Sequence, residues 1–121
     1  MLIISQTYKY TNMGLVRAFT QQATRLPNTS TPTNPSVGTS PSIIGVDRST
    51  LKNRCTFTVY NSGTLPVILG HGNTVSLATQ VARLEPTDFY YEEPSACFQG
   101  AIAAMAIGGS TSVNCEDLII I

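Results

Sequence analysis

His71 is the one histidine in the sequence, and it stands between glycines in Leu-Gly-His-Gly-Asn. Imidazole is the side chain best suited to moving protons near neutral pH. It catalyses only beside a nucleophile that it activates or a group that orients it, and no spacing in this chain names either. The residue reads as part of an exposed loop. Glu92 and Glu93, with Asp88 close by, come nearest to a carboxylate pair. Glycoside hydrolysis sets two carboxylates about 5–9 Å apart across a sugar. Adjacent strand residues point to opposite faces, which suits that task poorly. The step before Pro94 therefore reads as a solvated turn. Glu116-Asp117 reads as a second exposed charged step that guards an apolar strand against aggregation.

Cys55, Cys97 and Cys115 are odd in number and widely spaced, which suits neither a disulfide framework nor a zinc site. They read as free thiols used as small apolar side chains, with one Cys97–Cys115 or Cys55–Cys115 bridge as the alternative. No metal, cofactor or catalytic residue is expected. Gly70, Gly72, Gly108 and Gly109 form no phosphate loop, and no Gly-x-Ser-x-Gly elbow occurs. Tyr8, Tyr10, Tyr60, Tyr90 and Tyr91 are the set that could build a surface: a platform on which sugars stack. On alternating strands such residues also serve as core-edge and cross-strand packing.

The elements that must carry these residues are short. The chain has 121 residues, which suits one domain with tails. A globule of this size exposes roughly 6,300 Å² and buries about two thirds of its unfolded surface, enough for one modest core. Charged residues make up 12% of the chain, about half the usual share. Thr, Ser, Asn and Gln take their place. Such a polar, uncharged surface suits permanent packing against other proteins, and also ordinary secreted β-domains. Net charge is zero, and the basic residues are scattered at Lys9, Arg17, Arg25, Arg48, Lys52, Arg54 and Arg83. Phosphate neutralisation needs clustered cations, so nucleic acid is not an expected partner. No apolar run approaches the ~20 residues of a membrane span. The start, Met-Leu-Ile-Ile-Ser-Gln, lacks the basic region and length of a signal peptide. The expectation is a chain that folds in the cytoplasm and meets no membrane.

Residues 1–26 hold β-like pieces around Leu2-Ile3-Ile4, Thr7–Tyr10 and Leu15–Phe19, an N-terminal arm. Residues 27–42 carry four prolines, no charge and one large apolar residue, Val37. Such a run has little to bury and reads as a loose tether. Extended at ~3 Å per residue it would reach about 50 Å. It could also become ordered against a neighbouring subunit. Residues 43–121 show regular β signals. In Cys55–Tyr60, Cys55, Phe57 and Val59 share one face while Thr56, Thr58 and Tyr60 share the other. Asn61–Thr64 is a turn, and Leu65–Leu69 a strand in which Pro66 marks a start, an edge or a bulge. Val75–Thr79 and Val81–Leu84 read as one interrupted strand, and Glu85–Asp88 as a tight turn. Ala101–Ile107 reads as a central strand covered on both sides. Leu118–Ile121 reads as a bare terminal strand. Seven to nine short strands with frequent turns predict an all-β, antiparallel β-sandwich, jelly-roll or Ig-like, with an extended N-terminal arm.

The order of pieces in residues 48–116 resembles that of small phage virion proteins. An Arg-bearing entry leads to a strand ending in Asn, here Phe57-Thr-Val-Tyr-Asn61. A Gly-Thr turn and a strand ending in Gly follow, here Ser62 to Gly70. Then comes a Leu-x-Pro-Gly-Asp/Glu turn, here Leu84-Glu-Pro-Thr-Asp88, in which Thr87 replaces Gly. Gly100-Ala-Ile102 and Gly108-Gly109 close the pattern, which does not extend to residues 1–47. The resemblance implies a non-enzymatic bacteriophage structural protein of the virion, most simply a capsid decoration or cement protein. Its implied partners are the major capsid protein and further copies of itself, as a homodimer or homotrimer. A head–tail connector or tail accessory protein is one alternative, and a glycan-binding β-sandwich module another. Attachment is expected outside the sandwich body, at Leu2, Ile3, Ile4, Tyr8, Tyr10, Pro32, Pro35, Leu118, Ile119 and Ile120.

Overall fold

The computed structural model describes residues 28–120. Leu2, Ile3, Ile4, Tyr8 and Tyr10 of the expected arm lie outside the described residues. Ser30–Ile119 form one compact unit, which holds the sandwich.

Ten strands are described: β1 (Asn28–Thr33), β2 (Ser36–Val37), β3 (Ser42–Gly45), β4 (Arg54–Tyr60), β5 (Val67–His71), β6 (Ala82–Leu84), β7 (Phe89–Glu92), β8 (Ile102–Ala106), β9 (Thr111–Ser112) and β10 (Asn114–Ile120). One four-stranded sheet runs β1-β10-β4-β7, a second runs β3-β8-β5-β6, and β2 pairs with β9 in a small ribbon. The pairings β2–β9, β4–β10, β3–β8, β4–β7, β5–β6 and β5–β8 are antiparallel. The fold is the all-β sandwich that the sequence pattern predicts.

Alternation builds the core. Phe57 and Val59 from β4 and Cys115 from β10 meet Val67 and Leu69 from β5 and Ile102, Ala104 and Ala106 from β8. The intervening residues of β5 and β8 face outward, yet Ile68 and Ala103 are also buried, packed with Val75. The loop after β5 therefore covers the outer side of the second sheet. That explains why Val67-Ile-Leu and Ala101–Ala106 read as apolar on both faces. Gly70 permits the close approach, because a Cβ there would lie 2.7 Å from the Val75 Cβ. Gly70→Ala should lift this loop and cost about 1–3 kcal/mol, read as a lower denaturant midpoint. A midpoint unchanged from the wild type would count against the tight seal.

Three sequence expectations change. Residues 27–42 are not a loose tether throughout, since β1 and β2 fall within them. Val37 is completely buried, its neighbour Gly38 accepts a hydrogen bond from the Ala106 amide at 2.7 Å, and Pro35 accepts one from Val113 at 3.2 Å. One apolar side chain suffices because backbone hydrogen bonds fix its flanks. Pro32 is exposed on β1, an edge strand, where a missing amide proton costs least.

Val75–Thr79 is no strand. The Thr79 amide donates to the Ser76 carbonyl at 3.1 Å, and the Ser76 amide to Thr79 Oγ1 at 2.9 Å, closing a hydroxyl-supported turn. Nor is Leu118–Ile121 a bare terminal strand. Leu118 and Ile119 belong to β10, which lies between β1 and β4 with Leu118 opposite Thr56 and Ile119 opposite Arg54. They therefore continue an interior strand of the first sheet rather than forming a strand of their own.

The Glu85–Asp88 turn carries the chain from the second sheet to the first. The Asp88 amide donates to the Glu85 carbonyl at 2.9 Å, Pro86 presets the second position, and Thr87 takes φ +75°. A left-handed conformation costs an L-residue about 1–2 kcal/mol, against about 0.5–1 kcal/mol for the extra unfolded freedom of glycine. Thr87→Gly should stabilise by up to about 1 kcal/mol, raising Tm by several degrees. A lower Tm would show that the threonine side chain supplies more than its strain removes.

Candidate functional site

The chemistry-bearing side chains gather at one end of the sandwich, and their first task is cohesion. Glu92 closes β7 and points inward, 6% exposed, while Glu93 faces solvent. The solvated turn expected before Pro94 is thus half wrong: alternation sends one of the two carboxylates into the interior. His71 ends β5 in the opposite sheet. Its Nε2 donates to Glu92 Oε2 at 2.5 Å, and the Tyr90 hydroxyl donates to the same oxygen at 2.6 Å. Glu92 Oε1 accepts from the Phe98 amide at 2.9 Å and from Cys97 Sγ at 3.7 Å. The His71 ring stacks on Phe98 at 4.1 Å between centroids. His71 is therefore no plain loop residue but one half of a clasp between the sheets.

Burial alone would raise the Glu92 pKa. The hydrogen bonds from Tyr90, His71 and the Phe98 amide outweigh it and hold the carboxyl below its ordinary value. Burial, reinforced by the Glu92 charge, pushes the Cys97 thiol up to about 12. Burial likewise takes Cys115 to about 12. Cys55, Cys97 and Cys115 are all free, and the two with these raised values are protonated, weak nucleophiles at neutral pH. The carboxylate accepts four hydrogen bonds, so its lone pairs face protein and none is aimed at a vacant reaction centre.

A second polar knot lies beside it. The Arg54 side chain is wholly buried. A register shift near Leu118/Ile119 sets an extra residue into β4, so Arg54 and Cys55 are both buried where strict alternation would expose one. Arg54 Nε donates to Asp117 Oδ1 at 3.0 Å and Nη2 to Oδ2 at 3.3 Å. Its remaining donors reach the carbonyls of Val46 at 2.5 Å, Phe98 at 2.8 Å and Gly100 at 2.8 Å. Arg48 adds a half-buried second cation to Asp117 at 3.1 Å. Gln99 completes the knot, accepting from the Arg54 amide and donating to the Arg54 carbonyl, both at 2.8 Å. Asp117 was expected on the surface, yet it is 7% exposed and anchors two arginines.

Asn61 organises the other end. Its Nδ2 donates to the Leu65 and Leu84 carbonyls at 2.9 Å each, and its Oδ1 accepts from Gly63 at 3.0 Å. An asparagine that ends a strand thus holds two turns together.

Among the described residues no group of three His, Cys, Asp or Glu is placed to hold a metal ion, and no helix is long and apolar enough to cross a membrane. The tyrosines separate. Tyr90 points inward to Glu92, whereas Tyr60 and Tyr91 lie on the outer face of the first sheet, joined by Phe89.

No family model matches the chain, and no curated protein matches it. Distant likenesses exist among solved structures. One is to a chain from Bacillus endospore appendages, described as a novel family of disulfide-linked pili, with 9% identity over 79% of this chain and 88% of that one at a TM-score of 0.49. Another is to the Yersinia pseudotuberculosis-derived mitogen, with 10% identity over 78% and 88% at a TM-score of 0.37. A third is to the SPBc2 prophage-derived protein YomS, with 15% identity over 73% and 95% at a TM-score of 0.37. At these values none of them bears on function.

Proposed function

We propose that the chain is a non-enzymatic structural protein of a phage virion, and most specifically a capsid decoration protein that bridges subunits of the major capsid protein. The observation that carries this reading is the correspondence between the phage-like motifs and the joints of the sandwich. Phe57–Asn61 completes β4 and ends on the turn-holding asparagine. Leu84–Asp88 is the turn between the sheets, Gly100–Ile102 is the entry to β8, and Gly108 with φ +91° opens the turn toward β9. The motif residues thus hold a scaffold together. His71, Glu92, Arg54 and Asp117 are likewise turned to internal cohesion, which suits a part that bears load. Attachment is assigned to residues 1–26 and the exposed edge at Pro32, and self-association as a dimer or trimer would multiply the contacts.

The test is the copy number in purified virions by quantitative mass spectrometry, followed by rebinding to stripped heads. A decoration role expects hundreds of copies, and a chain of residues 27–121 that no longer binds heads. About a dozen copies would instead indicate a head–tail connector. Absence from the particle would end the virion reading. Undiminished binding of the truncated chain would remove the arm from it.

A further inference from the structure

We propose that the outer face of the first sheet is a binding platform for neutral saccharides, built on Tyr60, Phe89 and Tyr91. Antiparallel register sets Phe89 directly opposite Tyr60 and Tyr91 opposite Thr58, so the three rings lie side by side on one face. They are 38%, 68% and 52% exposed. The solvent face of such a sheet is ordinarily polar; Thr56, Thr58, Asn114 and Glu116 obey that rule, and Leu118, half-buried opposite Thr56, is an apolar residue at the far end of the face. The three aromatic residues depart from it with no gain to the core, which the inward members of the same strands, Phe57, Val59, Tyr90 and Glu92, already fill. A local rule broken without a structural return marks a functional position.

Size and charge select the occupant. The exposed part of the three rings amounts to roughly 300 Å², taking about 200 Å² for each. A stable protein partner needs about 800 Å² on each side, more than twice what the rings offer, so the aromatic patch matches a small ligand better than it matches a dimer. On β4, β7 and β10 this face carries no cation, and its one charge is Glu116, which accepts a hydrogen bond from Ser30. Phosphates and other anions are disfavoured there. A pyranose with equatorial hydroxyls has a flat C–H face that can lie on the rings. Its rim of hydroxyls would meet the polar groups that continue the same face, Thr58, Asn114 and Glu116. The class indicated is β-linked neutral saccharide. This face stands independently of the virion reading, since a glycan-binding surface is compatible with a chain that never joins a particle.

The isotope-labelled full chain is titrated with cellohexaose and with chitohexaose in the millimolar range while backbone amide resonances are followed. Shifts centred on Thr58, Tyr60, Phe89, Tyr91 and Asn114 are expected. Phe89→Ala and Tyr91→Ala should each lower affinity about tenfold or more with Tm unchanged, and Asn114→Ala should lower it less. The proposal is overturned if neither sugar shifts these resonances, if the shifts centre elsewhere, or if both aromatic variants bind as the wild type does. Self-association that Phe89→Ala abolishes would also overturn it, because the face would then join copies of the chain.

Discussion

Asp117→Ala is expected to cost about 3–5 kcal/mol of folding stability, the range for removing one partner of a buried ion pair. Whole domains are stable by only about 5–15 kcal/mol, so the variant should unfold at a much lower denaturant midpoint. The size of the effect comes from what remains. Arg54 is completely buried and all its donors are committed, two of them to Asp117. Without the carboxylate, a guanidinium charge stays in the interior facing only carbonyl dipoles, with Arg48 adding a second positive charge nearby. Arg54→Met leaves Asp117 its partner Arg48, and its cost arises from the stranded carbonyls of Val46, Phe98 and Gly100. The double variant Arg54→Met/Asp117→Leu should therefore lose less than the sum of the two, with a coupling of about 1–3 kcal/mol. A loss below about 1 kcal/mol for Asp117→Ala, typical of surface pairs, would show that water reaches the knot.

Glu92 should give the fold an acid limit. Its folded pKa lies below the ordinary value of 4.5. A carboxyl depressed in this way contributes stability that is fully present above the unfolded pKa and is lost as pH falls through the folded one. The sandwich should thus weaken progressively below about pH 4.5, as Glu92 takes up a proton and its hydrogen bonds from His71, Tyr90 and Phe98 weaken. Glu92→Gln should lose about 2–3 kcal/mol at neutral pH, the cost of exchanging charge-assisted hydrogen bonds for neutral and partly mispaired ones. It should also flatten the acid limb of the stability curve. Equal acid sensitivity in the variant and the wild type would assign the limb to other carboxylates. Because the clasp joins β5 to β7, the same variant should speed hydrogen exchange at the end of both sheets, including Gly70 and Tyr91.

Local pattern carried most of the architecture. The alternation in Cys55–Tyr60, the strand start after Pro66, the Glu85–Asp88 turn and the doubly covered Ala101–Ile107 strand each follow from a few neighbouring residues, and each is found. The polar centres were not legible in that way. His71 and Glu92 are 21 residues apart on different sheets, and Arg54 and Asp117 are 63 apart. No spacing rule links such pairs, and a charged residue in a short strand reads as exposed until the sheet order is known. One signal was available: Glu92 and Glu93 at the end of a strand must face opposite ways, so one of them had to point inward. Val37 was obscured by its proline-rich setting, where composition argued for disorder and the decisive hydrogen bonds came from Ala106 and Val113. In the aromatic set alternation already placed Tyr60 on the face opposite Phe57 and Val59, whereas the register of β7 against β4 was needed to show Tyr90 inward and Tyr91 outward.

The central place of β10 has a kinetic consequence. The first sheet cannot assemble until residues 114–120 have been synthesised, because they lie between β1 and β4. Until then β4 shows an open edge flanked by Cys55, Phe57 and Val59. Closing the sheet brings together segments from opposite ends of the described chain, a high contact order that makes folding slow. A nascent chain in this condition is exposed to aggregation. Overproduction at low temperature, where synthesis is slowed, should therefore favour soluble protein, and mutations that weaken the β4–β10 pairing should reduce yield more than they reduce the stability of the molecules that do fold.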